Sequence, residues 1–317
     1  MTTTPTTPLD VRGPTRAAPE RGRRPKRRRE RNDLKVALLF VGPATLGFLI
    51  FYVWPALRGV YYSFTDFSVL SPPTWVGTAN YQKLIGDNLV WNAFKVTLEY
   101  VVLNIGAQTI LALTIAVLMH RFTKSMAVRG ALLMPYLIAN VVVALSWYWM
   151  LDYQVGIVNQ IMEWVGIDKI AFFGDSFWAI PTIAFVNVWR HVGYTALLIF
   201  AGLQTIPTGL YEAAALDGSS EVRTFFKITI PLLRPVLAMV LVITVTGSFQ
   251  LFDTVAVTTQ GGPVNATRVI YYYIYDLAFT RFDFGYASAI SVVLFIILAS
   301  VAFAQIKLLR AGESDLS

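Results

Sequence analysis

The chain has 317 residues, 56% of them apolar and 14% charged, with a mean hydropathy of +0.56; soluble globular domains are far more polar, which marks an integral membrane protein. It has no cysteine, excluding disulfides, thiolate metal sites and cysteine catalysis, and its two histidines, His120 and His191, are too few for an imidazole metal cluster. The net charge of +7 would suggest nucleic acid as a partner if it were spread over a folded surface, but it is concentrated at the N-terminus.

Residues 1–33 hold ten of the 26 Lys/Arg (Arg12, Arg16, Arg21, Arg23, Arg24, Lys26, Arg27, Arg28, Arg29 and Arg31) among prolines and threonines. Such a segment is expected to be a disordered basic tail that holds the N-terminus in the cytoplasm and touches anionic lipid. No aromatic side chain accompanies the arginines, so no nucleic acid is expected as a partner.

The remainder, 34–317, reads as a membrane domain. The stretch 36–57 is a charge-free run of 22 residues, enough at about 1.5 Å per residue to cross a hydrocarbon core of about 30 Å. It is too long for a signal peptide and lacks a small-residue cleavage site, so it is expected to remain as an anchor. A polar connector with Pro72, Pro73 and Trp75 leads to a second span over about 96–119, charge-free from Tyr100. The third, about 130–151, carries Trp147, Tyr148 and Trp149 as an interfacial belt. After an acidic connector, the fourth span, 177–203, is interrupted at its middle by Arg190 and His191. The fifth, 236–257, contains Gln250 and Asp253, and a turn-rich connector over 258–267 precedes the sixth, 285–306. The expectation is an all-α polytopic protein with six transmembrane helices. With the N-terminus inside, the inner segments hold nineteen Lys/Arg and the outer ones six, while Arg190 lies within the membrane; the positive-inside rule therefore places both termini in the cytoplasm.

On the same side lies 205–235, TIPTGLYEAAALDGSSEVRTFFKITIPLLRP, polar where its neighbours are apolar. Pro207 and the helix formers Glu212 to Leu216 predict a helix over 208–216, and Gly218 supplies a left-handed stop. Ser219 is placed to cap a second helix that opens with Glu221, shows Val222, Phe225, Phe226 and Ile228 on one face, and ends at Pro231 and Pro235. The residues alone leave open whether this elbow is a surface loop or a docking element. The chain contains no GxxxxGK[ST] phosphate loop and so carries no nucleotide motor of that kind.

The spacing Glu212-Ala213-Ala214, then Gly218, then Ile228-Thr229-Ile230-Pro231 resembles the EAA motif of permease subunits of bacterial ABC importers, with Ile230 where leucine is usual. The resemblance implies the type I importer permease fold and a coupling role for Glu212, Ala213, Ala214, Asp217, Gly218, Ile228 and Pro231 against a cytoplasmic ATPase. It further implies a second permease subunit completing a heterodimeric pore, two copies of the ATPase, which binds ATP and Mg, and an extracytoplasmic solute-binding protein. This chain would have no cofactor, catalyse no covalent chemistry, and sit in the bacterial plasma membrane. The run Thr258-Thr259-Gln260-Gly261-Gly262-Pro263 with Thr267, and Phe284-Gly285-Tyr286-Ala287-Ser288-Ala289, is similar to the carbohydrate branch and looks more like the larger maltose-permease chain than its smaller partner; six spans fit the shorter glycerol-phosphate and oligosaccharide relatives.

Candidate substrate-lining residues follow from polarity and position. Asn187, Arg190, His191 and Tyr194 share one helical face, offering directed hydrogen bonds and an aromatic surface to a sugar. Arg190 and His191 replace leucine and glycine of the maltose-permease segment that this stretch resembles. Arg190 can instead form an ion pair with Asp253 or contact another subunit, or bind the phosphate of a glycerophosphodiester or glycerol phosphate. On the fifth span the resemblance points to Thr244, Gly247 and Ser248; Gln250 and Asp253 lie nearly opposite. Asn140, beyond the Pro135 kink, is a candidate by position, with a helix-packing hydrogen bond as the alternative. A membrane sensor or assembly protein with a basic cytoplasmic arm is the reading from another class.

Overall fold

The computed structural model describes residues 36 to 309 apart from 37, 38, 70 and 124, so the basic tail expected over 1–33 lies outside the described residues. The chain divides into two units, Met1–Ala56 and Leu57–Ser317. Within the first, an apolar helix contains a π turn at Leu49–Val53 and stacks Phe48 on Tyr52; it belongs to the first span-length helix, Leu39–Tyr62.

In the second unit, span-length apolar helices cover Asn88–Phe122, Ala179–Leu203, Arg234–Val257 and Phe284–Lys307. The run expected over 130–151 is not one straight helix. It forms two, Met126–Leu137 and Asn140–Met150, that meet at 90°, and the described residues hold up to six spans when this broken pair counts as one. Pro135 lacks the N–H that would tie its turn to the preceding one, and Ile138 and Ala139 are extended. The fifth span also breaks: Arg234–Phe249 ends at Gln250, and a short helix resumes at Asp253–Val257.

Two apolar clusters hold the second unit together. One gathers Val90, Tyr100, Ile183, Val255, Ile270, Tyr286 and Ile290; the other, nearer the elbow in sequence, gathers Ala112, Ala116, Ile199, Leu203, Leu233 and Val240. The second, fourth and fifth spans pass through both. The polar residues of these helices, Asn104, Gln108, Asn187, Thr244 and Ser248, fall in the interval between.

At the end remote from the elbow, Asp87 caps the second span by accepting from the Leu89 amide (2.8 Å) and takes hydroxyl hydrogen bonds from Tyr273 (2.9 Å) and Tyr286 (2.8 Å). Burial pushes this carboxyl upward, but the bonds from Tyr286, Tyr273 and Leu89 outweigh it and hold the group below the usual carboxylate range. Lys83 adds an ion pair to Asp283 (3.0 Å) that joins the connector helix Ala79–Gly86 to the start of the sixth span.

Gly193 sets how closely the broken span approaches the fourth. A Cβ there would overlap the Leu132 carbonyl oxygen, a backbone atom that cannot swing aside. Gly193→Ala is expected to destabilise the purified protein by about 1–3 kcal/mol, the range for overpacking, measured as a lowered Tm in detergent. Gly106→Ala, on the second span with nothing within 4 Å of the added methyl, is expected to be neutral or stabilising. Equal behaviour of the two variants would refute this packing.

Candidate functional site

The polar interval between the two clusters is where the membrane domain carries chemistry. Asn104 and Gln108 are buried one turn apart on the second span. Asn104 Nδ2 donates to Ser248 Oγ (2.9 Å) and, more weakly, to Gln108 Oε1 (3.3 Å). Gln108 Nε2 donates to Thr195 Oγ1 (2.8 Å), and Ser248 Oγ spends its hydrogen on the Thr244 carbonyl (2.7 Å). Because that hydroxyl proton is used, the amide group facing Ser248 is the NH2 of Asn104, which fixes the amide orientation. Asn104 Oδ1 is left buried without a partner.

Beside this network lies a cavity of about 210 Å³. Asn187, His191 and Tyr194 reach it from the fourth span and Thr244, Gly247 and Ser248 from the fifth, so six of the sequence-predicted lining residues converge. Asn104, Gln108, Tyr136 and Thr195 line it as well and were missed. Asn104 and Gln108 had a legible signal, two amides at i and i+4 in an otherwise apolar span. Tyr136 had none, because the pattern of its own helix did not say which neighbouring span it packs against. Its ring stacks on Tyr194 with centroids 4.5 Å apart and planes 10° off parallel.

Arg190 and Asn140 are not among the cavity's lining residues. Arg190 caps the broken span instead: Nε and Nη2 donate to the Ile138 carbonyl (3.2 and 3.1 Å) and Nη2 also to the Tyr136 carbonyl (3.2 Å). These carbonyls belong to the end of Met126–Leu137, where helical donors run out. Nη1 donates to His191 Nε2 (2.9 Å), while His191 Nδ1 lies 2.9 Å from the Asn187 carbonyl. A guanidinium can only donate and a carbonyl only accept, so the imidazole is the neutral Nδ1–H tautomer. Asn140 Nδ2 donates to Asp253 Oδ2 (2.9 Å), tying the far half of the broken span to the helix after the fifth-span break. Gln250 lines a different groove, with Phe252 and Tyr275.

The elbow folds as two helices about a left-handed glycine. Thr208–Leu216 ends with Gly218 N–H bonded to Ala215 O (3.1 Å) and Ser219 N–H to Ala214 O (2.9 Å), with Gly218 at φ +71°, a Schellman stop that favours glycine. Ser220, not Ser219, caps the second helix, accepting from Arg223 N–H; Ser219 accepts from the Thr224 hydroxyl instead. Nor does Pro231 stop that helix. A π turn at Phe225–Thr229 precedes it, and helical backbone runs through Ile230–Leu232 before a break at Leu233. Ala214 is buried, while Glu212, Ala213, Asp217 and Gly218 are exposed. Leu216 (89% exposed), Val222 (68%) and Phe226 (65%) stand out on the same element; Val222 and Phe226, expected on an apolar face, face outward. Arg121 at the end of the second span pairs with Glu221 (2.7 Å), and Tyr211 Oη meets Thr229 Oγ1 (3.2 Å) across the elbow.

Residues 108–311 match the family of binding-protein-dependent transport system inner membrane components. The chain is similar to the sulfoquinovosyl glycerol transport system permease protein SmoG of Agrobacterium fabrum, 32% identical over 89% of this chain and 92% of that one. It is also similar to the trehalose/maltose transport system permease protein MalF of Thermococcus litoralis, 31% identical over 88% and 95%. Among solved structures, a chain of a bacterial ABC transporter involved in the import of the acidic polysaccharide alginate superposes with a TM-score of 0.78 at 24% identity, covering 90% of this chain and 97% of that one.

The capping role of Arg190 has a direct test. Arg190→Met leaves the Tyr136 and Ile138 carbonyls without these donors and is expected to cost about 1.5–3 kcal/mol per charged hydrogen bond lost, seen as a lower Tm in detergent, with Arg190→Lys falling between. An unchanged Tm in the Met variant would show that the guanidinium does not hold the break.

Proposed function

The chain belongs to the family of binding-protein-dependent transport system inner membrane components, and from that premise we propose how a multi-pass permease subunit of a sugar-importing ABC transporter is driven and oriented. The elbow is the coupling element. Its two helices dock in a cytoplasmic ATPase, with Glu212 and Asp217 offering carboxylates, Ala213 and Gly218 allowing close backbone approach, and the exposed Leu216, Val222 and Phe226 burying apolar area. The observation that carries this reading is the EAA spacing folded about a left-handed Gly218, with apolar side chains left outside. Ile228 and Pro231 belong to the helical run that returns to the fifth span.

On this reading the ATPase, in two copies, binds ATP and Mg and performs the hydrolysis, while this chain performs no covalent chemistry. A second permease subunit completes the pore, and an extracytoplasmic solute-binding protein delivers the carbohydrate. Both termini lie in the cytoplasm, as the Lys/Arg distribution favours, and the basic tail faces anionic lipid there. ATP binding closes the ATPases, the elbow transmits that movement, and the cavity of the fourth and fifth spans alternates between the two sides. The carbohydrate class is supported by the names of the relatives and by a cavity of amides, hydroxyls and a stacked tyrosine pair.

Glu212→Lys and Gly218→Trp are expected to leave the membrane level of the protein unchanged while weakening ATPase co-purification at least about tenfold, or ~1.4 kcal/mol, and abolishing uptake. Full ATPase association and transport in both variants would rule out docking through this elbow.

A further inference from the structure

We propose that the cavity is built for a neutral polyhydroxylated ring and that acidic saccharides and phosphate esters are not what this subunit carries; the inference rests on the importer reading above and narrows its substrate class.

Among the described residues lining the cavity there is no carboxylate, ammonium or guanidinium. The two groups that could bring positive charge to it are both engaged elsewhere. Arg190 directs its Nε, Nη1 and Nη2 hydrogens to the Ile138 and Tyr136 carbonyls and to His191. His191 has both ring nitrogens occupied, one by a carbonyl and one by that guanidinium, and is neutral as a result.

What the cavity does offer is an acceptor. Asn104 is 1% exposed, and its Oδ1 is buried with no hydrogen-bond partner. Buried polar atoms in folded proteins are nearly always paired, so an orphan on a residue that lines the cavity calls for a donor that the chain itself does not supply. A sugar hydroxyl donates there and accepts in turn from neighbouring donors. The hydroxyls of a neutral sugar and of an acidic one could both donate there; what separates the two is the anionic group, which would lose its hydration in a cavity whose described lining offers no counter-charge. The stacked pair Tyr136 and Tyr194 supplies the flat surface that suits the apolar face of a pyranose.

The test is a deletion of this chain in its native host, with complementation by the full-length chain. Cells are fed mixed hydrolysates of starch, cellulose and alginate together with sn-glycerol 3-phosphate, and the spent medium is separated by anion exchange and read by mass spectrometry. Neutral saccharides that the wild type and the complemented strain consume, and the deletion strain leaves behind, are the expected result. If the deletion strain instead leaves alginate fragments or glycerol phosphate, the neutral class is wrong while the importer reading stands. If the deletion changes no solute in either fraction, the carbohydrate-importer reading fails and this inference falls with it.

Discussion

A helix that breaks inside a membrane exposes carbonyls where no bulk water can satisfy them, and the architecture of this chain depends on how that problem is met after Leu137. Each unsatisfied backbone group in hydrocarbon costs several kcal/mol. The solution is one guanidinium. Arg190 supplies donors in a planar fork to two carbonyls on either side of Leu137, those of Tyr136 and Ile138, and so offsets the loss of helical bonds at the 90° bend. Before the bend Tyr136 stacks on Tyr194, and after it Asn140 meets Asp253. The placement of a charge that is costly to insert is thus explained by backbone polarity rather than by ligand charge.

The same logic shapes the polar layer between the two apolar clusters. Asn104, Gln108, Thr195 and Ser248 satisfy one another across the second, fourth and fifth spans, which fixes the register of those helices in a way that interchangeable apolar contacts do not. Of these four side chains, Asn104 alone carries a buried oxygen without any partner, and the bonds among the rest limit the arrangements open to them.

Much of this was legible in the residues. Span positions followed from charge-free runs, the elbow from its polarity and its glycine stop, and the lining set Asn187, His191, Tyr194, Thr244, Gly247 and Ser248 from helical periodicity and resemblance. What escaped reading is what depends on a break in a helix. Periodicity assigns faces only while the helix is continuous, so Tyr136 and Asn140, on either side of Ile138 and Ala139, could not be given a direction. Arg190 shares a helical face with His191 and Tyr194, but its long side chain reaches past that face to its acceptors. The choice between Ser219 and Ser220 as the cap, and the π turn before Pro231, turn on single backbone hydrogen bonds that adjacent serines and a lone proline do not encode.

The proposed coupling gains a physical route from the chain's continuity. The elbow joins the fourth span at Leu203 and the fifth at Leu233, both almost fully buried in one cluster with Ile206 and Phe200, so a displacement of the elbow is delivered to packed helix ends rather than to loops. From Leu203 to Tyr194 is nine residues, about 14 Å of rigid helix at ~1.5 Å each. Gly193, one residue further, is where the broken span lies directly against the fourth with no side chain between. Movement of the fourth span therefore bears on the Leu132 turn, and through it on the Arg190-capped break. The elbow sits at one end of this pair of helices and the cavity along their length, so on the proposed coupling the two share one continuous pair of helices.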